Sequence, residues 1–397
     1  MNKKAYPLLS LLILSSCANT TLNLVVNIPT SNALQHLDED IVKRTVAPTL
    51  ESLDDYFQAP ENKDCVVSPA SYLLAVSGLS AVSEGFDNSS FGLQTDASDD
   101  VKSLLEAWNF AYDASPSDSD YTYFRSAVLH QQVGPTYKFD EEARKQVSDK
   151  YIATMVSNLD NYSSDAQNFL NEQIDLSIPL PDSELMDDGV ITYGAIKIKD
   201  YIPNGLYEEQ KEFTSENITS MVNTYSFGYS FPQPVLYWAG ETYQAFKMEM
   251  NYTSLLIILP NQGVSLESIS VADTYSSFMA EANYVSAYGY IPFFHLVTSN
   301  ADLTAYLQNK LTGQEMFFSK LLASDVYNDL QLISVMQNSD FEFNKYGVAG
   351  ESVTAIEAVG STGPLDGEPV NLEVNRPFYA LSLKDNFPIF VNKVNRL

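Results

Sequence analysis

Gly347-Val348-Ala349-Gly350-Glu351-Ser352-Val353-Thr354-Ala355-Ile356-Glu357-Ala358-Val359 is the stretch on which the fold turns. Just before it, Phe341 and Phe343 alternate with Glu342 and Asn344, the period-two pattern of a half-buried strand. From Gly347 to about Pro369 the chain then offers Gly, Ala, Ser, Thr and Val in place of bulky anchors. A connection that long is either functional or disordered. The plain alternative is a mobile surface loop.

Downstream, Phe378 to Leu383 and Phe387 to Val394 are apolar runs around Lys384-Asp385-Asn386, which predicts two strands joined by a tight polar turn. Upstream, Phe246, Met248 and Met250 alternate with Lys247 and Glu249, and Leu255 to Leu259 is a continuous apolar run stopped by Pro260. The amino-terminal half reads differently. Ser68-Pro69 supplies an N-cap and a first-turn proline to a helix carrying Leu73, Val76, Leu79 and Val82, with small residues on its other sides, so this helix is buried all round. Leu37 to Gln58 predicts an amphipathic helix interrupted near Pro48, and Val101 to Tyr112 another, with Asp99-Asp100 at its positive end. Helices early and sheets late define an α+β class.

The 397 residues, 45% hydrophobic and 12% aromatic, suffice for a substantial core. A net charge of -29 with no basic patch excludes nucleic acid as a partner. No catalytic residue is assigned: the chain lacks a Gly-x-Ser-x-Gly elbow, a phosphate-cradling loop and a dinucleotide fingerprint. The paired carboxylates Asp54-Asp55, Asp187-Asp188 and Glu208-Glu209 are expected on solvated faces. His36, His130 and His295 have no metal-ligand spacing, so neither metal nor cofactor is expected.

Met1-Asn2-Lys3-Lys4, the apolar stretch Leu8 to Leu14 and Ser15-Ser16-Cys17 follow the order of a secretory signal. Leu14 to Cys17 resembles the bacterial lipobox, which implies cleavage and acylation at Cys17 and a membrane contact through the lipid. An ordinary signal peptide with an incidental cysteine is the alternative. The expected division is a lipoprotein signal at 1–17, a tether at 18–34 and one domain at 35–397, held in the cell envelope at the outer membrane or cell surface. With Cys17 acylated, Cys65 is alone and reads as a buried structural thiol.

The stretch from Gly347 to Val359 resembles the hinge and reactive-centre loop of the serpins, the large serine-protease inhibitors. Asn375-Arg376-Pro377-Phe378 and Phe387-Pro388-Ile389-Phe390 are similar to the family's closing signature, Ser68-Pro69-Ala70-Ser71 to its buried helix start, and Leu255 to Pro260 to its central strand. The likeness runs collinearly from about Gln35 to Val394. It implies three β-sheets with about eight or nine helices, an exposed loop at about 347–369, and a monomer.

The resemblance also implies suicide inhibition of a serine protease: the loop is cut, then inserts as a strand of the main sheet. Gly347, Val348, Ala349, Gly350, Glu351, Ser352, Val353 and Thr354 form the implied hinge. In the family's register Val348, Gly350, Ser352, Thr354, Ile356 and Ala358 face inward, so both acids, Glu351 and Glu357, face out. The scissile bond is expected about 14 residues beyond Gly347, at Ser361-Thr362, within the range Gly360 to Leu365. No Lys or Arg lies between Lys345 and Arg376, so an elastase-like or subtilisin-like protease is expected. Ser68, Ser71, Gly194 and Gln337 form the implied sheet-opening region, Gly194 and Gln337 standing where the family has asparagine and histidine. A non-inhibitory serpin-like lipoprotein that binds a ligand or partner is the alternative.

Overall fold

Residue 48 is a proline inside the first helix, and the helix does not break there. In the computed structural model, which describes residues 36–83, 85–111, 123–133, 140, 142, 145, 154–157, 162–180, 189–202, 207–228, 232–312, 335–350 and 368–397, α1 runs from Glu39 to Gln58. The expected interruption is therefore corrected. Pro48 has no N–H to offer the Arg44 carbonyl, and Gly92 packs against that carbonyl so closely that a Cβ would collide with it. Gly92 sits at φ +69, and its own carbonyl accepts from the Arg44 guanidinium. The Gly92 N–H is spent on Ser89 O at 3.0 Å, so the Arg44 carbonyl gains close packing there and the helix is held through Pro48 by its tertiary contacts rather than by a substitute bond.

Helix α2, Pro69–Val82, begins as its sequence requires: the Ser68 hydroxyl accepts from the Ser71 N–H at 3.1 Å, with Pro69 in the first turn. Tyr72, Leu73, Leu74, Val76, Leu79 and Ala81 are all buried, so the helix lies inside the molecule as expected. Helix α3 is Ser98–Ala107, shorter than the expected span to Tyr112. Asn109 ends it. Its amide donates to Leu105 O at 2.6 Å and to Ser126 Oγ at 2.7 Å, while its Oδ1 accepts from Ser126 N–H at 3.0 Å, turning the chain into a strand. The remaining α-helices among the described residues are α4, Tyr162–Ile174, α5, Val271–Glu281, and α6, Thr304–Lys310. Asp54, expected on a solvated face, caps α5 instead, its Oδ1 accepting from Val271 N–H at 2.7 Å.

The strands in chain order are β1 Cys65–Val67, β2 Phe110–Ala111, β3 Tyr123–Val133, β4 Thr154–Ser157, β5 Gly189–Tyr201, β6 Tyr207–Ser215, β7 Ile218–Phe227, β8 Gln233–Ala239 and β9 Tyr243–Glu249. They continue with β10 Ser254–Pro260, β11 Asn283–Pro292, β12 Phe294–Asp302, β13 Met336–Asn344, β14 Gly347–Gly350, β15 Val370–Glu373, β16 Phe378–Lys384 and β17 Phe387–Val394. Hydrogen bonding joins them into two sheets among the described residues, where three were expected. The 10-stranded sheet runs β1-β17-β16-β10-β9-β8-β11-β7-β6, with β15 beside β11; the 7-stranded sheet runs β12-β13-β14-β5-β3-β2, with β4 beside β3. The fusion has one cause. Strand β11 pairs with β8 from Asn283 to Ala287 and then with β7 from Gly289 to Pro292, so one strand stitches two layers together.

The closing strands β16 and β17 are buried along their whole length and turn at Asp385 and Asn386, whose φ values of 51 and 63 are those of a two-residue hairpin. Every residue of β10 is buried between β9 and β16. Cys65 is a free buried thiol, pushed up to about 12 by burial, and so is poorly suited to act as a nucleophile. On the outer face of the smaller sheet, Ala166, Leu170 and Ile174 of α4 pack with Ala127, Leu129 and Ala195. The fold is α+β, with α2 between the sheets and α4 across the outside.

Candidate functional site

Asn344 turns the chain back on itself after β13. Its Oδ1 accepts from the Tyr346 N–H at 2.8 Å, and Gly347 follows at φ 138, a conformation that residues with a Cβ rarely adopt. The returning strand, β14, then lies between β13 and β5, antiparallel to both. On one side Gly347, Val348 and Ala349 face Asn344, Phe343 and Glu342. On the other, Gly347, Val348, Ala349 and Gly350 face Tyr201, Asp200, Lys199 and Ile198. Among the described residues no ladder joins β13 to β5 directly, so β14 is the only strand that fills the gap.

Period two decides what β14 buries. Val348 is 1% exposed and belongs to the core, whereas Ala349 is half-buried on the opposite face. Below the end of β14, the flanking strands are tied to the same helix start. Gln337 of β13 accepts from the Ser68 N–H at 2.7 Å and donates to the Ser68 carbonyl at 3.0 Å. On the other side, the Ser71 hydroxyl donates to Gly194 O of β5 at 2.8 Å. Gly194 itself lies against the Ser71 carbonyl and the Ala75 N–H, and any Cβ there would strike helix backbone. The Ser68 hydroxyl also donates to Ile389 O at 2.7 Å, which fixes the helix start to β17.

All four residues of the implied sheet-opening region, Ser68, Ser71, Gly194 and Gln337, therefore stand together. Of the implied hinge, Gly347 to Gly350 form β14. Glu351, Ser352, Val353, Thr354, the Ser361-Thr362 bond and Cys17 lie outside the described residues.

The upper end of the gap is held by a residue that the sequence reading missed. Asp200, 1% exposed, accepts at Oδ2 from Tyr252 N–H at 2.8 Å, from Thr253 N–H at 2.7 Å and from the Thr253 hydroxyl at 2.7 Å. The signal was present: Asp200 shares strand parity with Gly194, Ile196 and Ile198, so an acid stands on the apolar face and requires donors. Lys197 was also missed. Its Nζ lies 2.8 Å from Asp175 Oδ2 and the residue is 4% exposed. Burial, and then the Lys197 charge, holds the neighbouring Lys199 ammonium below its ordinary value.

No family model matches the sequence, and no curated protein matches it. Solved structures do match. The thermophilic serpin tengpin in its native state is similar over 95% of this chain and 100% of its own, with a TM-score of 0.67 at 16% identity. Serpin48 of the insect Tenebrio molitor is similar over 91% of this chain and 99% of its own, with a TM-score of 0.66 at 18% identity. Human thyroxine-binding globulin, complexed with thyroxine, is similar over 89% of this chain and 98% of its own, with a TM-score of 0.64 at 16% identity. The chain has the serpin fold.

Proposed function

We propose that the protein inhibits a serine protease as a suicide substrate, its loop being cut and then inserted into the smaller sheet. The observation that carries this reading is β14, the first part of the loop, seated between β13 and β5 with Val348 inward. Continued with the same spacing, the two registers would set Thr354 between Gly194 and Gln337, level with the ties to Ser71 and Ser68. Insertion beyond β14 therefore requires those ties to yield.

The protease serine attacks the carbonyl of the scissile bond, the new amino terminus leaves with the downstream piece, and the upstream piece remains esterified to the enzyme. Insertion then competes with water for that ester. Roughly 11 residues added beyond β14, at about 1 kcal/mol net per ladder bond, supply of order ten kcal/mol. We place the cut at Ser361-Thr362 within Gly360 to Leu365, and the target among elastase-like or subtilisin-like enzymes because the loop offers no basic anchor. Incubation with such enzymes should give an adduct that survives SDS, and mass spectrometry of the released downstream fragment should locate the cut. Cleavage without an adduct would reject inhibition.

A second reading, a non-inhibitory binding protein, is supported by the similarity to thyroxine-binding globulin complexed with thyroxine and by the double tie of Gln337 to Ser68. For residues 1–34 we propose a lipoprotein signal and a tether, with Cys17 as the lipid site and the outer membrane or cell surface as the location. Cys17→Ser should move the protein from the membrane fraction to the soluble one.

A further inference from the structure

Where α1 ends, an open pocket of about 420 Å³ lies between β1, β12 and α6, with Tyr56, Glu61, Asp64, Asn300, Asp302 and Tyr306 in its wall. Among the described residues, every charged side chain lining it is acidic. Strand β12 is bulged at this wall: its register on β13 shifts between Thr298 and Ala301, and Asn300 takes φ 53.

The two tyrosines form a corner. Their ring centroids are 5.8 Å apart and their planes meet at 82°, an edge-to-face pair in which Tyr306 is the half-buried ring. Tyr56 is 6% exposed, yet its hydroxyl has no hydrogen-bond partner among the described residues. Burial, and then Cys65 and Tyr306, push its ionisation upward, so the hydroxyl stays neutral. Burial, followed by Glu61, Asp55 and Asp302, does the same at Tyr306. That response places Tyr306 in a negative field.

The acids differ in what they already hold. Asp64 Oδ1 accepts from Asn395 N–H at 2.7 Å and Arg396 N–H at 3.0 Å, and Asp302 Oδ1 accepts from Thr304 N–H at 2.9 Å. Each keeps its second oxygen for another donor. The Glu61 carboxylate makes no hydrogen bond or ion pair among the described residues. Nor do these acids converge: among the described residues no three His, Cys, Asp or Glu side chains are grouped to hold a metal ion. Carboxylates spread around an aromatic corner suit a bulky, diffuse cation better than a small, hard one.

We propose that this pocket binds an organic ammonium ion of the polyamine class, one charged nitrogen against the Tyr306 ring and the Tyr56 hydroxyl and the others toward Glu61, Asp64 and Asp302. The test is calorimetric titration of the full chain with spermidine at fixed ionic strength, with 1,4-butanediol as the uncharged control. Saturable binding at one site is expected, with no response to the diol. Because the chain carries a charge of -29, non-specific attraction is separated by two variants: Tyr306→Leu, and the surface pair Glu61→Gln with Asp302→Asn, which leaves the core intact. Each should weaken spermidine about tenfold or more. Absence of saturable binding, equal binding by the double variant, or competition by magnesium at matched ionic strength would overturn the proposal.

Discussion

Gln337 holds Ser68 by both ends of its side-chain amide, Oε1 accepting from the Ser68 N–H at 2.7 Å and Nε2 donating to the Ser68 carbonyl at 3.0 Å. The pair spans the interval between β13 and α2, and its counterpart, Ser71 on Gly194 O at 2.8 Å, spans that between β5 and the same helix. Two strands that must separate for anything to enter between them are thus tied to one rigid element. The ties use uncharged groups, each costing little to break and more to leave unmade.

Gln337→Ala removes the first tie and leaves the buried Ser68 N–H without an acceptor; the Ser68 carbonyl keeps its bond from Tyr72 N–H at 3.0 Å. A loss of about 2 kcal/mol is expected. Urea unfolding should show a lower midpoint with an unchanged slope, and the loop should enter the sheet more readily. Gly194→Ala acts on the other tie and costs about 1–3 kcal/mol, because the added methyl meets helix backbone that has nowhere to go.

Val348→Arg places a charge where the native side chain is 1% exposed. The chain can fold with β14 displaced from the sheet, since a buried unpaired charge costs several kcal/mol. Electrophoresis after incubation with the target protease should show cleaved protein in place of the SDS-resistant adduct. An undiminished yield of adduct would reject insertion through β14.

Asp200→Ala deprives three donors of one shared acceptor, two backbone N–H groups and the Thr253 hydroxyl. A destabilisation of about 3–5 kcal/mol is expected. Asp200→Asn, which keeps an oxygen in place, should recover part of it, as measured by the same urea midpoint.

His130 sets a pH dependence. The ring is fully buried, with Nδ1 2.9 Å from Thr192 Oγ1 and Nε2 unpartnered among the described residues, and burial lowers its pKa from 6.5 to about 3. The unfolded chain takes up the proton first. Stability is therefore indifferent to this group above pH 6.5 and falls as pH drops from there toward 3, by up to about 1.4 kcal/mol per pH unit. His130→Leu should cost about 1 kcal/mol at neutral pH through the lost hydrogen bond, yet flatten that slope. Stability curves for the two proteins at several pH values would check it.

The parts of the fold that were legible are those where local chemistry and tertiary context agree. Ser68-Pro69 announces α2, and Asp385-Asn386 announces the closing hairpin, because each cap or turn uses only its own neighbours. Pro48 misled because the helix around it is held by tertiary packing, including that of Gly92, far along the chain, against the Arg44 carbonyl. Asn109 misled because its amide finds Ser126 on a strand still to come. The count of sheets was hidden in β11, whose change of partner has no local signature. At the candidate site, the register implied by the resemblance put Val348 inward, and the structure has it there. Gln337 and Gly194 could be named only through resemblance, since nothing within β13 or β5 tells which residue will face Ser68 or Ser71.

The most direct test of loop insertion is the thermal unfolding midpoint of the protein before and after a single cut between residues 351 and 367. Insertion worth of order ten kcal/mol, at about 1.3 °C per kcal/mol for a domain of roughly 360 residues, predicts a rise of roughly 10–15 °C. A midpoint that does not move, with the severed segment still open to a second cut, would contradict the account.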